Sequence, residues 1–245
     1  MEKKYREVTF EECRMRSRYC FSIRYLQSAY FFCKQGYDIE KTFLETNNLT
    51  QEIRNHHFAY VSNALLSSVS FLEATINELF ANASEYPPEW NVITQDQNKK
   101  IIELFQKMWA LDIPRTAHYP IVKKYEIALA LAGKTTFDTG MPPYQNTKSV
   151  IQLRNYLMHY EPEWIEVQPG IGNIANEHKL KKILKGKFSE NPLAYKTEPF
   201  FPQKCIGHGC AEWAIENCIA FTDEFFQNLE ISSPYESLKE KIITR

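Results

Sequence analysis

The chain has 245 residues, 44% of them hydrophobic and 24% charged, with a formal net charge of −1. That length can bury a core without disulfides, and the near-zero charge excludes the global basic field that drives non-specific nucleic-acid binding. Only 8 glycines are present, which argues against a turn-rich all-β fold and for helices.

The opening residues Met1-Glu2-Lys3-Lys4-Tyr5-Arg6 lead into no uninterrupted apolar run, so they do not read as a signal peptide. No stretch approaches the roughly 20 apolar residues of a spanning helix, and the expectation is a cytoplasmic protein without membrane contact. Residues 9–34 read as a helix, with Thr9 as N-cap, Glu12 as its capping-box partner and Gly36 as its stop. In it Arg14, Arg16, Arg18 and Arg24 interleave with Tyr19, Phe21, Tyr25, Tyr30, Phe31 and Phe32. The plain reading is a surface helix with its aromatics packed down; the sharper one is an RNA-contacting face.

Residues 52–83 give the longest helix, with Phe58, Val61, Leu65, Val69, Leu72, Ile76 and Leu79 at spacings of three and four. Ser70, Glu73 and Asn77 line up on one of its sides, and a glutamate flanking a packed face wants a partner. Pro87-Pro88 marks the break. Helices follow at 96–111 and at 118–133, the latter closed by Gly133; 134–145 is a loop, and 146–161 is helical up to Pro162. Residues 162–206 are punctuated by proline and glycine, with one short basic helix at 176–186 carrying Lys179, Lys181, Lys182 and Lys185. Residues 209–230 form a final long helix, and 235–243 a short one. The expected fold is all-α, an antiparallel helical bundle with an N-terminal extra helix and a long irregular insertion before the last long helix.

The helix at 146–161 holds Arg154, Asn155 and His159. Imidazole exchanges protons near neutral pH, and guanidinium grips phosphate through a fork of donors. Together they are the least that metal-free RNA cleavage needs, and they are equally an ordinary polar surface pair. At about 100° per residue, Val150, Leu153, Leu157 and Tyr160 form the core face, and Asn155 and His159 stack one turn apart. Arg154 stands about 140° from His159, so the two meet at one phosphate only if the arginine reaches round or a second copy completes the site. Ile151 and Met158 make the rear face half-apolar, which predicts a symmetric homodimer. The helix end favours imidazolium at His159; Glu161 and Glu163 act in the same direction and Arg154 against it.

Rival signals are weaker. Cys205-Ile-Gly-His208-Gly-Cys210 lacks zinc-ligand spacing and reads as a glycine-rich turn with free thiols. Cys13, Cys20, Cys33 and Cys218 complete a scattered set of six cysteines that forms no secreted framework. Adjacent His56 and His57 read as surface or capping residues, and Gly170-Ile-Gly172 lacks the context of a dinucleotide loop. No cofactor is expected.

The Arg-Asn-x-x-x-His run at a helix end inside an all-α chain resembles the HEPN superfamily (higher eukaryotes and prokaryotes nucleotide-binding domain). The resembling core covers about 52–165 plus 209–230 of one domain over 1–245; 1–51 is an N-terminal helical extension and 162–206 an insertion. The helix Ser68–Glu78 is similar to an earlier core helix of that family, with Glu73 as the acidic residue facing the motif. The resemblance implies a dimeric, metal-independent endoribonuclease, of the kind found as toxins or phage-defence effectors. His159 would move the proton of the ribose 2′-hydroxyl or of the leaving 5′-oxygen, Arg154 would bind the scissile phosphate, and Asn155 would orient them. Weaker substrate contacts would be Lys179, Lys181, Lys182, Arg14 and Arg18. Implied partners are RNA, a second copy, and an antitoxin or nucleotidyltransferase; the alternative is a non-catalytic binding or scaffold module.

Overall fold

The computed structural model describes residues 19–85, 99–112, 119–164, 177–241 and 244. These are mainly helical, with no strand among them. In chain order they form α1 (Ser22–Thr46), α2 (Gln51–Glu85), α3 (Lys99–Ala110), α4 (Ile121–Leu131), α5 (Tyr144–Met158), α6 (Leu180–Leu184) and α7 (His208–Leu229). A π-helical turn, Phe200–Lys204, precedes α7, and a 3-10 turn, Glu236–Lys241, follows it. No helix of the described residues is long and apolar enough to cross a membrane.

The helices α1 and α2 form an antiparallel pair joined by residues 47–50. Asn47 ends α1 in the left-handed conformation (φ 52°), its amide bonded to the Phe43 carbonyl. The expected stop at Gly36 is therefore corrected. Gly36 is buried inside α1, where an added Cβ would lie 3.0 Å from Val61 Cγ2; it is there for close helix–helix approach. The start of α1 is capped from α2, because Glu78 accepts the Ser22 amide at 2.9 Å. Of the expected arginine–aromatic face, Tyr30 and Phe32 pack against the core, whereas Tyr19, Phe21, Tyr25 and Phe31 are exposed. Thr9, Glu12, Cys13, Arg14, Arg16 and Arg18 lie outside the described residues, as do Pro87, Pro88 and the Gly170–Gly172 run.

The centre of the bundle is α2. It buries Val61, Leu65, Val69, Leu72, Ile76 and Leu79 at the expected spacing. Phe58 departs from that list at 47% exposed, because it lies beside an open cleft rather than under a neighbouring helix. On the other side α4 docks through a fully buried lysine, Lys124, whose Nζ lies 3.1 Å from Glu73 Oε1 and 3.2 Å from Asn77 Oδ1. Beside it the Tyr125 hydroxyl donates to the Leu72 carbonyl at 2.7 Å. A buried ammonium is tolerated only when it is paired and hydrogen-bonded.

Residues 177–206 are irregular but packed. They bury Leu180, Leu184, Leu193, Phe200 and Phe201. Their close seat on α7 depends on two glycines: a Cβ on Gly209 would come within 2.9 Å of the Ser189 carbonyl oxygen, and one on Gly207 within 2.8 Å of Asn191 Cα. His57 is corrected from a surface residue to a core one, 2% exposed, with Nε2 2.8 Å from Glu40 Oε1. The same carboxylate accepts the His208 amide at 2.6 Å, so Glu40 joins α1, α2 and the first turn of α7.

Candidate functional site

Three anchors place α5. At its start the Tyr144 hydroxyl donates to Glu126 of α4. Burial works to raise the Glu126 pKa, but the bonds from Tyr144 and Lys123 prevail and hold it below the ordinary carboxylate value. Further along, Asn146 Nδ2 donates to Asn217 Oδ1 at 2.9 Å, and the Thr147 hydroxyl donates to the Asn217 carbonyl at 3.0 Å. Val150 and Leu153 are fully buried.

The far end of α5 is open. The helix ends at Met158, one residue before His159, which leaves helical geometry at φ −118° and ψ 50° with its amide still bonded to the Asn155 carbonyl at 2.8 Å. Tyr160 is therefore beyond the helix and 57% exposed, which corrects its place on the core face. Ile151 packs against the core, so the rear face is less apolar than its sequence suggests. The exposed apolar groups gather instead at the end of the helix: Met158, Tyr160 and Trp164, the last 94% exposed.

Asn155 and His159 are both exposed and both line a cleft of about 420 Å³. Its other walls are Gln152 and Tyr156 from α5, Tyr160, Glu161 and Glu163 from the segment that follows, and His178, Lys179 and Phe201 from the packed insertion. Gln152, Asn155, Tyr156 and His159 follow the i, i+3, i+4, i+7 spacing of one helix stripe. Arg154 is off that stripe and outside the lining; it is half-buried on α5. Of the two residues, only His159 lines this cleft.

His178 is the main site residue that the sequence does not reveal. Its ring lies 4.7 Å from the Phe201 ring and meets Tyr156 edge-on at 4.8 Å. The Leu180 amide donates to its Nδ1 at 3.1 Å, and its Nε2 faces Glu163 Oε1 at 3.7 Å. Lys179 places its ammonium 4.8 Å from the centroid of Tyr156. Tyr156 was within reach of sequence reasoning, three residues before His159 on the same stripe. His178 and Phe201 were not, because only the tertiary fold brings them to α5.

The remaining candidates lie elsewhere. Glu73 lines no part of the cleft and is joined to Lys124. Lys181 is paired with Glu177 at 2.7 Å, and Lys182 is exposed outside the lining. Arg14 and Arg18 are not among the described residues. Cys205 and Cys210 are buried free thiols; burial and then its bond to Cys205 push the Cys210 thiol up, which disfavours the thiolate a metal would need. Among the described residues no three His, Cys, Asp or Glu side chains converge so as to hold a metal ion.

A second cleft, about 400 Å³, lies where the start of α2 meets residues 191–206. Among the described residues its one cation, Arg54, lies 4.4 Å from the Tyr195 ring centroid and 4.0 Å from Glu198 Oε2. Among the described residues it holds no exposed imidazole, since His57 is buried against Glu40.

Compared with protein-family models, with curated proteins and with solved structures, the chain shows no significant match.

Proposed function

We propose that the bundle is of HEPN type and that the protein is a metal-independent endoribonuclease, of the kind that serves as a toxin or phage-defence effector. The observation that carries this reading is the exposure of His159 beside Asn155 at the rim of an open cleft. A histidine retained for folding would be buried and bonded, as His57 is. His159 has no side-chain hydrogen bond among the described residues, and its imidazole is available for proton exchange.

In the proposed reaction His159 takes the proton of a ribose 2′-hydroxyl. The 2′-oxygen attacks phosphorus as the bond from phosphorus to the 5′-oxygen breaks, and the 5′-oxygen takes a proton from solvent water, giving a 2′,3′-cyclic phosphate and a 5′-hydroxyl. Arg154 stabilises the added phosphate charge. Since Arg154 does not line the cleft of its own chain, we assign it to the cleft of a second copy in a homodimer. Met158, Tyr160 and Trp164 support that contact, being large, exposed and next to the site. One observation favours a binding module instead: Glu161 and Glu163 put two carboxylates on the cleft wall, where RNA would meet like charge.

Incubating the pure protein with RNA in EDTA, beside His159→Ala, decides between the two. The ribonuclease reading expects cyclic-phosphate ends from the parent and a rate lower by about 100-fold or more in the variant, with an unchanged Tm. No cleavage, or equal cleavage by both, overturns it.

A further inference from the structure

The cleft holds an imidazole donor whose facing carboxylate lies too far for a hydrogen bond. His178 has a side chain only 9% exposed. Its Nδ1 accepts the Leu180 amide at 3.1 Å, so the ring proton of the neutral imidazole is on Nε2. Phe201 on one face and Tyr156 at the edge fix the ring, and Nε2–H therefore has one direction. It faces Glu163 Oε1 at 3.7 Å, which is beyond hydrogen-bond reach. Among the described residues no other acceptor is bonded to it. The N–H opens on the cleft that His178 lines, where an anionic oxygen would give it a bonded acceptor.

We propose that His178 Nε2 and Lys179 Nζ form an anion subsite for one phosphodiester group, and that Glu163 occupies its edge in the free protein. Three features support it. Lys179 lines the same cleft and has no ion pair among the described residues. Glu163 is 58% exposed in its side chain and follows Pro162 outside any helix, so it can swing into solvent. Its carboxylate oxygen marks where an anion meets the imidazole donor. A phosphodiester offers two free oxygens, one for each of the two donors. The phosphate grip that the motif assigns to arginine is then supplied within each chain by the insertion, leaving Arg154 to reach a partner copy. The proposal rests on the RNA reading only for the source of the phosphate.

The test uses the full chain and two probes, inorganic phosphate and a 2′-O-methyl RNA oligonucleotide, which binds but lacks the attacking hydroxyl. The Nε2–H resonance of His178 is expected to shift on phosphate addition, and phosphate to compete with the oligonucleotide. Glu163→Gln is expected to tighten both probes roughly three- to fivefold, and Lys179→Met to weaken both by a similar factor. A His178 resonance unmoved at saturating phosphate, or Glu163→Gln binding no tighter than the parent, overturns the subsite. If the subsite fails while His159→Ala still abolishes cleavage, the ribonuclease reading survives. If phosphate binds as described and RNA is never cut, the subsite stands and that reading falls.

Discussion

The amide of His159 donates to the carbonyl of Asn155 at 2.8 Å, which closes α5 and leaves both side chains on the wall of one cleft. Asn155 is exposed, so replacing it does not touch the core. Asn155→Ala is expected to lower kcat for RNA cleavage roughly ten- to a hundredfold, with Tm and binding of an uncleavable 2′-O-methyl RNA unchanged. Equal loss of binding and rate would show a substrate contact in place of a positioning role.

The seat of the insertion depends on missing side chains. An added Cβ on Gly209 would meet the Ser189 carbonyl oxygen at 2.9 Å, and one on Gly207 would meet Asn191 Cα at 2.8 Å. Neither backbone can yield without moving the chain that carries His178 to the cleft. Gly209→Ala and Gly207→Ala are each expected to cost about 1–3 kcal/mol in urea unfolding. Gly133→Ala is the contrast: its Cβ would meet nothing within 4 Å, so any cost there comes from its φ of +65° alone.

Glu40 Oε1 is the shared acceptor for His57 Nε2 at 2.8 Å and the His208 amide at 2.6 Å. Glu40→Ala strands both donors inside the bundle and is expected to cost about 2–4 kcal/mol. Thermal melts should show it, and the double variant with His57→Ala should lose less than the sum of the two single losses.

Stability should also fall in alkali. Tyr30 is pushed up to about 12 by burial and then by the charge of Glu216, and Tyr144 to about 12 by burial and then by its bond to Glu126. In the unfolded chain both titrate near their ordinary value of 10. Between pH 10 and 12 the unfolded chain therefore releases protons that the fold retains, and stability declines as pH rises through that window. Urea midpoints measured across it should drop steadily, and tyrosinate absorbance from these residues should appear together with loss of helical circular dichroism.

What the sequence made legible was periodicity and its breaks. The α2 core stripe follows from residue spacing along one helix, and Pro162 marks the region where α5 stops, although the helix runs Tyr144–Met158 rather than 146–161 and leaves His159 beyond its end. The limits come from residues whose environment is built by distant chain. Gly36 looked like a stop because glycine often ends helices, but here it faces Val61 across a close contact. His57 looked exposed because its partner Glu40 belongs to the preceding helix. Glu73 showed the need for a partner, while the identity of that partner, Lys124, depended on how α4 docks. His178 carries no local signal: it is a polar residue in an irregular stretch until Phe201 and Tyr156 close around it.

The central claim is a ribonuclease site shared by two copies, with His159 from one and Arg154 from the other. Mixing the singly substituted proteins Arg154→Ala and His159→Ala tests it most directly. In a symmetric dimer each mixed pair rebuilds one intact site and destroys the other. An equimolar, fully exchanged mixture should recover about a quarter of the parent's RNA-cleaving activity, since half the dimers are mixed and each has one of two sites. A mixture as inactive as either protein alone, with both folded and exchanging, would contradict it.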